Sequence, residues 1–209
     1  MAERARGSSP AVTRLGSARE HGGARGPASS SQRWGFGGLL CGGALVAVAI
    51  AAAAAGHLGE LPVMVALAIV TPPLVVTDVR EHRLPNPLVA FAALGLLLAY
   101  CLDWLLTGSL DPGAIIIGML VGAALLLCSV LGGLGMGDVK LGAVLASAAA
   151  LVHPSLAGVL VFLAILFGGL QSIIVLVWTR DRRRSIALGP ALLAGYWLPV
   201  AWLAAAHWV

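Results

Sequence analysis

Charged residues are scarce. They make up 11% of this 209-residue chain, against about a quarter in ordinary soluble domains, which excludes an ordinary soluble protein. Aromatic residues reach only 6%. Cysteine occurs three times, at Cys41, Cys101 and Cys128, each inside an apolar run. That spacing fits neither a zinc motif nor a disulfide framework, so the three read as small hydrophobic residues. Lysine occurs once, at Lys140. What is abundant is apolar: 59% of the chain. Disorder is thereby excluded for most of its length. The 27 glycines follow no collagen-like period. A multispanning membrane protein with a helical core remains.

A bilayer core takes about 20 apolar residues as a helix. Apolar runs occupy 35–56, 61–77, 87–106, 113–131, 139–152, 155–178 and 186–208. They are continuous rather than alternating, so helices are expected and barrel strands are not. The expected fold class is all-α, a polytopic helical membrane protein of about seven transmembrane helices. The run at 139–152 is short, and it works as a span only if it is buried among its neighbours or begins earlier. Asn86-Pro87 and Asp111-Pro112 are expected to open the third and fourth helices, and His153-Pro154 to part the fifth from the sixth. Residues 1–34, rich in Ser, Gly, Ala and Arg, read as a disordered basic tail without a secretory signal. Residues 35–60 read as the first helix with its outer loop. A catalytic membrane domain is expected over 61–196, and 197–209 complete the last helix.

Charge sets the expected orientation. With the N-terminus in the cytoplasm, the tail holds six arginines and the second-to-third connection holds Arg80 and Arg83. Lys140 follows the fourth helix, and Arg180, Arg182, Arg183 and Arg184 follow the sixth. These are all 13 basic residues of the chain, and all fall on one side. That is the positive-inside pattern. The net charge of +4 is thus a topology signal, and no nucleic-acid partner is expected. Membrane lipids are.

Of the nine acids, Glu3 and Glu20 lie in the tail, Glu60 and Asp111 in outer loops, and Asp181 among arginines. Glu81 reads as a local ion-pair partner in its basic loop, and Asp103 as an interfacial residue beside Trp104. Asp78 and Asp138 stand apart, each where a helix meets the cytoplasmic side. Acids there are costly if buried and carry a functional hypothesis. Two close carboxyls cannot readily both ionise and would share a proton, one taking a proton from water while the other protonates a carbonyl oxygen. The simpler readings are an N-cap for Asp138 and a helix-end ion pair with Arg80 or Arg83 for Asp78. Four glycines, Gly132, Gly133, Gly135 and Gly137, precede Asp138. They allow positive φ or close backbone approach, through which an extended peptide could reach the carboxyl. Replacing Gly135 or Gly137 by Val is expected to lower turnover while leaving membrane insertion intact. Neither a Walker nor a Rossmann pattern is met.

The stretch Gly135-Met136-Gly137-Asp138-Val139-Lys140-Leu141 resembles the GxGD motif of the type IV prepilin peptidases. Thr77-Asp78, followed by Leu84-Pro85-Asn86, resembles their first motif, and 186–195, with Gly189-Pro190, their late Gly-Pro motif. The resemblance spans roughly 61–196. It implies an intramembrane aspartic endopeptidase of the cytoplasmic membrane that removes the basic leader of pilin-like or pseudopilin precursors at the cytoplasmic face, in support of pilus or secretion-system assembly. Asp78 and Asp138 would be the catalytic pair, with no metal and no cofactor. Gly135, Gly137, Lys140, Pro85, Asn86, Gly189 and Pro190 would be motif residues around the substrate. Long members of that family carry a cysteine-bearing cytoplasmic domain and also methylate the new terminus. Here the first connection spans only about 57–60 and the cysteines are scattered, so a compact, peptidase-only form is expected. Two other readings stand beside it. One is a presenilin-like GxGD protease, with Pro190-Ala191-Leu192 as its late signature. The other is a transporter that uses the two acids for ion coupling.

Overall fold

The structure is a computed structural model describing residues 30–81, 84–132, 134–179 and 188–206. The expected tail up to residue 29, Arg83, the arginine-rich stretch 180–187 and residues 207–209 lie outside the described residues.

The described residues form seven helices and no strand: α1 (Ser30–Ala54), α2 (Leu61–Glu81), α3 (Asn86–Thr107), α4 (Pro112–Gly132), α5 (Met136–Val152), α6 (Pro154–Thr179) and α7 (Gly189–Ala206). They match the seven apolar runs one for one, except that α1 starts at Ser30, so residues 30–34, expected as the end of the disordered tail, are helical. Five of them, α2, α3, α4, α6 and α7, are long and apolar enough to cross a membrane. The chain is a multi-pass membrane protein. Helices win because lipid offers no partner to a backbone amide, so every segment must close its own hydrogen bonds.

The ends follow local chemistry. Asp111 Oδ1 accepts from Gly113 N at 2.8 Å, as expected for the start of α4. His153 ends α5 in an extended conformation, and its Nδ1 accepts from Ser155 N at 3.3 Å to open α6. Asn86 departs from expectation. Pro85 is the N-cap of α3, and Asn86 is the first helical residue with no capping bond. The Pro85 carbonyl accepts from Leu88 N and Val89 N instead. Gly108 closes α3 at φ 72°, where its N–H donates to Trp104 O.

α5 lies at the centre, packed against α3, α4, α6 and α7. It begins at Met136, three residues ahead of the apolar run, and is 17 residues long. Its face is built from small residues, and Ala146, Ala148, Ala149 and Ala150 are almost fully buried. α4 and α6 ring it and turn large apolar side chains such as Leu131, Met119, Phe162 and Ile165 outward, as a lipid-facing surface requires. Helices approach closely where a Cβ is missing. A Cβ on Gly118 would lie 2.6 Å from Ser147 Cβ, and one on Gly195 would lie 2.8 Å from Leu160 O.

One buried polar network ties the centre together. Ser147 Oγ donates to Ala114 O at 3.0 Å, and Tyr100 Oη lies 2.7 Å from Ser147 Oγ, linking α3, α4 and α5. Ser147→Val is expected to lower stability by about 1 kcal/mol, the upper range for a hydrogen bond between membrane helices. Steric trapping or denaturant unfolding in micelles would measure it.

Candidate active site

Three segments far apart in sequence meet at one end of the bundle. The first is the last turns of α2. Asp78 sits there, two turns beyond Thr71, and is 3% exposed although carboxyls are rarely buried without a reason. α2 runs past the end of its apolar run at 77 to Glu81, so Asp78 is a helical residue near the helix end, as expected. The third segment explains its burial. Gly189 opens α7, and its N–H, one of the first-turn donors without an intrahelical partner, donates to Asp78 Oδ2 at 3.0 Å. The positive end of the α7 dipole therefore faces this carboxyl. A Cβ on Gly189 would lie 2.6 Å from the same oxygen, so only glycine fits.

The second segment is the start of α5. Gly135 is the N-cap with φ −65°, and Met136, Gly137 and Asp138 form the first turn. Asp138 is therefore not a capping residue: its own N–H donates to Gly135 O at 3.0 Å. The Asp138 side chain is 7% exposed, and its Oδ1 has no hydrogen-bond partner among the described residues. Asp78 lies within electrostatic reach of it. An unengaged acceptor within electrostatic reach of a second carboxyl is an arrangement that suits acid–base exchange.

Gly135 and Gly137 work by close approach, and positive φ is not what they supply. Among the described residues only Gly56 and Gly108 have positive φ. A Cβ on Gly137 would lie 2.7 Å from Leu84 Cβ, so the Leu84-Pro85-Asn86 turn packs directly on the first turn of α5. The same contact is reinforced outside by Lys140 Nζ, which donates to Asn86 Oδ1 at 3.4 Å. A Cβ on Gly135 would press on Asp138 Oδ2 at 3.3 Å. Gly137→Val must push Leu84 away and carry the turn with it. It is expected to lower turnover about tenfold at unchanged membrane level, as small displacements near reacting groups do. A turnover assay on membranes matched for protein would measure it, and wild-type turnover would show that the packing is not needed.

The structure therefore gathers Asp78, Asp138, Gly135, Gly137, Gly189, Asn86 and Lys140 into one region. Pro85 contributes the start of α3, and Pro190, half-buried in the first turn of α7, contributes a pre-set φ. Residues 186 and 187 of the late motif lie outside the described residues. Sequence reasoning missed Leu84 as the partner of Gly137. It also missed that the late motif serves Asp78 through a backbone N–H, a contact for which the residue types carry no signal. The cysteines Cys41, Cys101 and Cys128 are each exposed on the bundle and remote from one another in sequence.

Neither the curated proteins nor the solved structures compared with this chain match it. The type IV leader peptidase family does, over residues 64–173, a stretch that contains both carboxyls and the turn between α2 and α3. This match covers more than half of the chain and includes both buried carboxyls, while Gly189, which donates to Asp78, lies beyond it. The chain belongs to the type IV leader peptidase family, and is accordingly a peptidase.

Proposed function

We propose that the protein is an intramembrane aspartic endopeptidase that removes the basic leader of prepilin-like precursors at the cytoplasmic face of the plasma membrane. One observation carries this reading most strongly. Asp78 of α2 and Asp138 of α5 are both buried and lie within electrostatic reach of each other at one end of the bundle. The carboxyls share a proton. The ionised one takes a proton from a water, whose oxygen adds to the scissile carbonyl as the protonated one donates to the carbonyl oxygen. The tetrahedral centre then collapses, the C–N bond breaks and the amine leaves with a proton returned by the pair. This requires neither metal nor covalent intermediate.

The orientation follows from charge. The pair lies at the end where α2 meets α3 and where α4 meets α5, the connections beside Arg80 and Lys140. On the positive-inside pattern that end is cytoplasmic, where a basic leader must lie. The substrate is a precursor whose leader precedes a hydrophobic helix, and its mature form goes to a pilus or a related secretion assembly. The short connection between α1 and α2 and the separated cysteines favour a compact, peptidase-only form that leaves the new terminus unmethylated.

The test is co-expression with a precursor made of a basic leader, Gly and a long apolar segment, read by the mass of the product. Wild type and Asp103→Asn, a substitution at the opposite end of α3, are expected to shorten it by the leader. A precursor left at full length by wild type would overturn the reading.

A further inference from the structure

Asp78 is carried by a weakened stretch of helix. Pro72 and Pro73 lie inside α2, just ahead of it. Neither has an amide hydrogen, so the carbonyls of Ala68 and Ile69 lose their helical donors and the last two turns of α2 are loosely joined to the rest. A carboxyl on such a stretch must be held from outside.

α7 holds α2 on both sides of the break. Ahead of it, Trp197 Nε1 donates to Thr71 Oγ1 at 3.0 Å, while Thr71 donates its own hydrogen to Leu67 O. Beyond it, Gly189 N donates to Asp78 Oδ2 at 3.0 Å. Thr71, Trp197, Asp78 and Gly189 are all buried. Thr71 and Asp78 lie two turns apart on one face of α2, about 10 Å along its axis. Gly189 and Trp197 are separated by about 12 Å along α7. The two helices run in opposite directions, so the near-equal spans let both bonds form in one register. A slide of α7 by one residue, about 1.5 Å, would lengthen and misalign both.

We propose that Trp197 is a positioning residue for Asp78: its hydrogen bond to Thr71 fixes the register of α7 on α2, and that register delivers the Gly189 amide to the carboxyl across the Pro72-Pro73 break. The inference rests on Asp78 being a catalytic carboxyl. Trp197 does not touch the substrate, and it acts through α7.

The experiment uses the full-length protein in lipid nanodiscs with four variants: Trp197→Phe, Thr71→Val, the double variant and Thr71→Ser. Two quantities are read, leader-cleavage kinetics and hydrogen exchange of the Gly189 amide. Trp197→Phe and Thr71→Val are each expected to lower kcat about fivefold, the size of one lost hydrogen bond, with KM unchanged. Both are expected to speed exchange at Gly189. The double variant should be no worse than either single one, and Thr71→Ser, which keeps the hydroxyl, should restore both readouts. Wild-type exchange at Gly189 in Trp197→Phe would overturn the inference, as would faster exchange with unchanged kcat. Should Trp197→Phe fail to insert, Thr71→Val and Thr71→Ser decide by the same criteria. If wild type cleaves no precursor, the proteolytic reading falls on its own, and unaltered exchange in both variants would still overturn the clamp.

Discussion

Asp138→Asn is expected to leave the precursor uncut, and so is Asp78→Asn. Asn matches Asp in size and keeps an acceptor oxygen, so packing around the first turn of α5 survives. What disappears is the ability to gain and lose a proton. A positioned acid or base contributes about 10²–10⁴-fold to a rate, and each substitution is expected to lower cleavage at least within that range. On the proposed mechanism the two carboxyls act as a unit, so the double substitution should be scarcely worse than either single one. Asp103→Asn, in the outer part of α3 where a Cβ on Gly59 would meet its side chain, should cleave as wild type does. Product mass from membranes matched for protein level decides. Normal cleavage by either single variant would disprove the pair and revive the ion-coupling reading.

Gly189→Ala is expected to be nearly as damaging, although it changes no charge and adds one methyl group. The added carbon would stand 2.6 Å from Asp78 Oδ2, closer than real contacts come. Asp78 is buried, and the same oxygen accepts from the Gly189 amide. Relief therefore requires moving α7 or rotating the carboxyl out of its present position. A displacement of about 1 Å at reacting groups costs on the order of 100-fold, and that loss is expected in kcat while the protein still inserts. Gly158→Ala is the matched control. A Cβ there meets nothing within 4 Å, and within a helix the change is expected to be neutral or mildly stabilising. Equal activity of the two variants would show that the contact with Asp78 does not matter.

The helices were legible because lipid forces the issue. An apolar run of 20 residues has one solution in a bilayer, and each of the seven runs became one helix. The 14-residue run at 139–152 was also legible in outline: it could hold only by starting earlier or by being buried, and α5 does both. The pair of acids stood out because so few charges interrupt the apolar pattern. Other features left no trace in composition or spacing. Asn86 looks like a cap and is not one, because Pro85 before it already fixes the extended entry to α3. The glycines before Asp138 look like a flexible loop, yet Gly137 lies within a helix and Leu84 explains why it must be small. Thr71 and Trp197 read as ordinary residues of apolar helices until α7 is laid beside α2. Contacts of this kind depend on register between helices, and a single chain records no register.

The central position of α5 has a consequence for how the protein meets different membranes. At 17 residues it is about 25 Å long, shorter than a typical hydrocarbon core of about 30 Å. A lipid-facing helix of that length would thin the bilayer around it. α5 has no need to, because its neighbours face the lipid for it. When acyl chains lengthen or shorten, α4 and α6 can adjust their tilt while the helix bearing Asp138 stays enclosed. On the proposed function, the surroundings of Asp138 are thereby expected to stay the same in bilayers of different thickness.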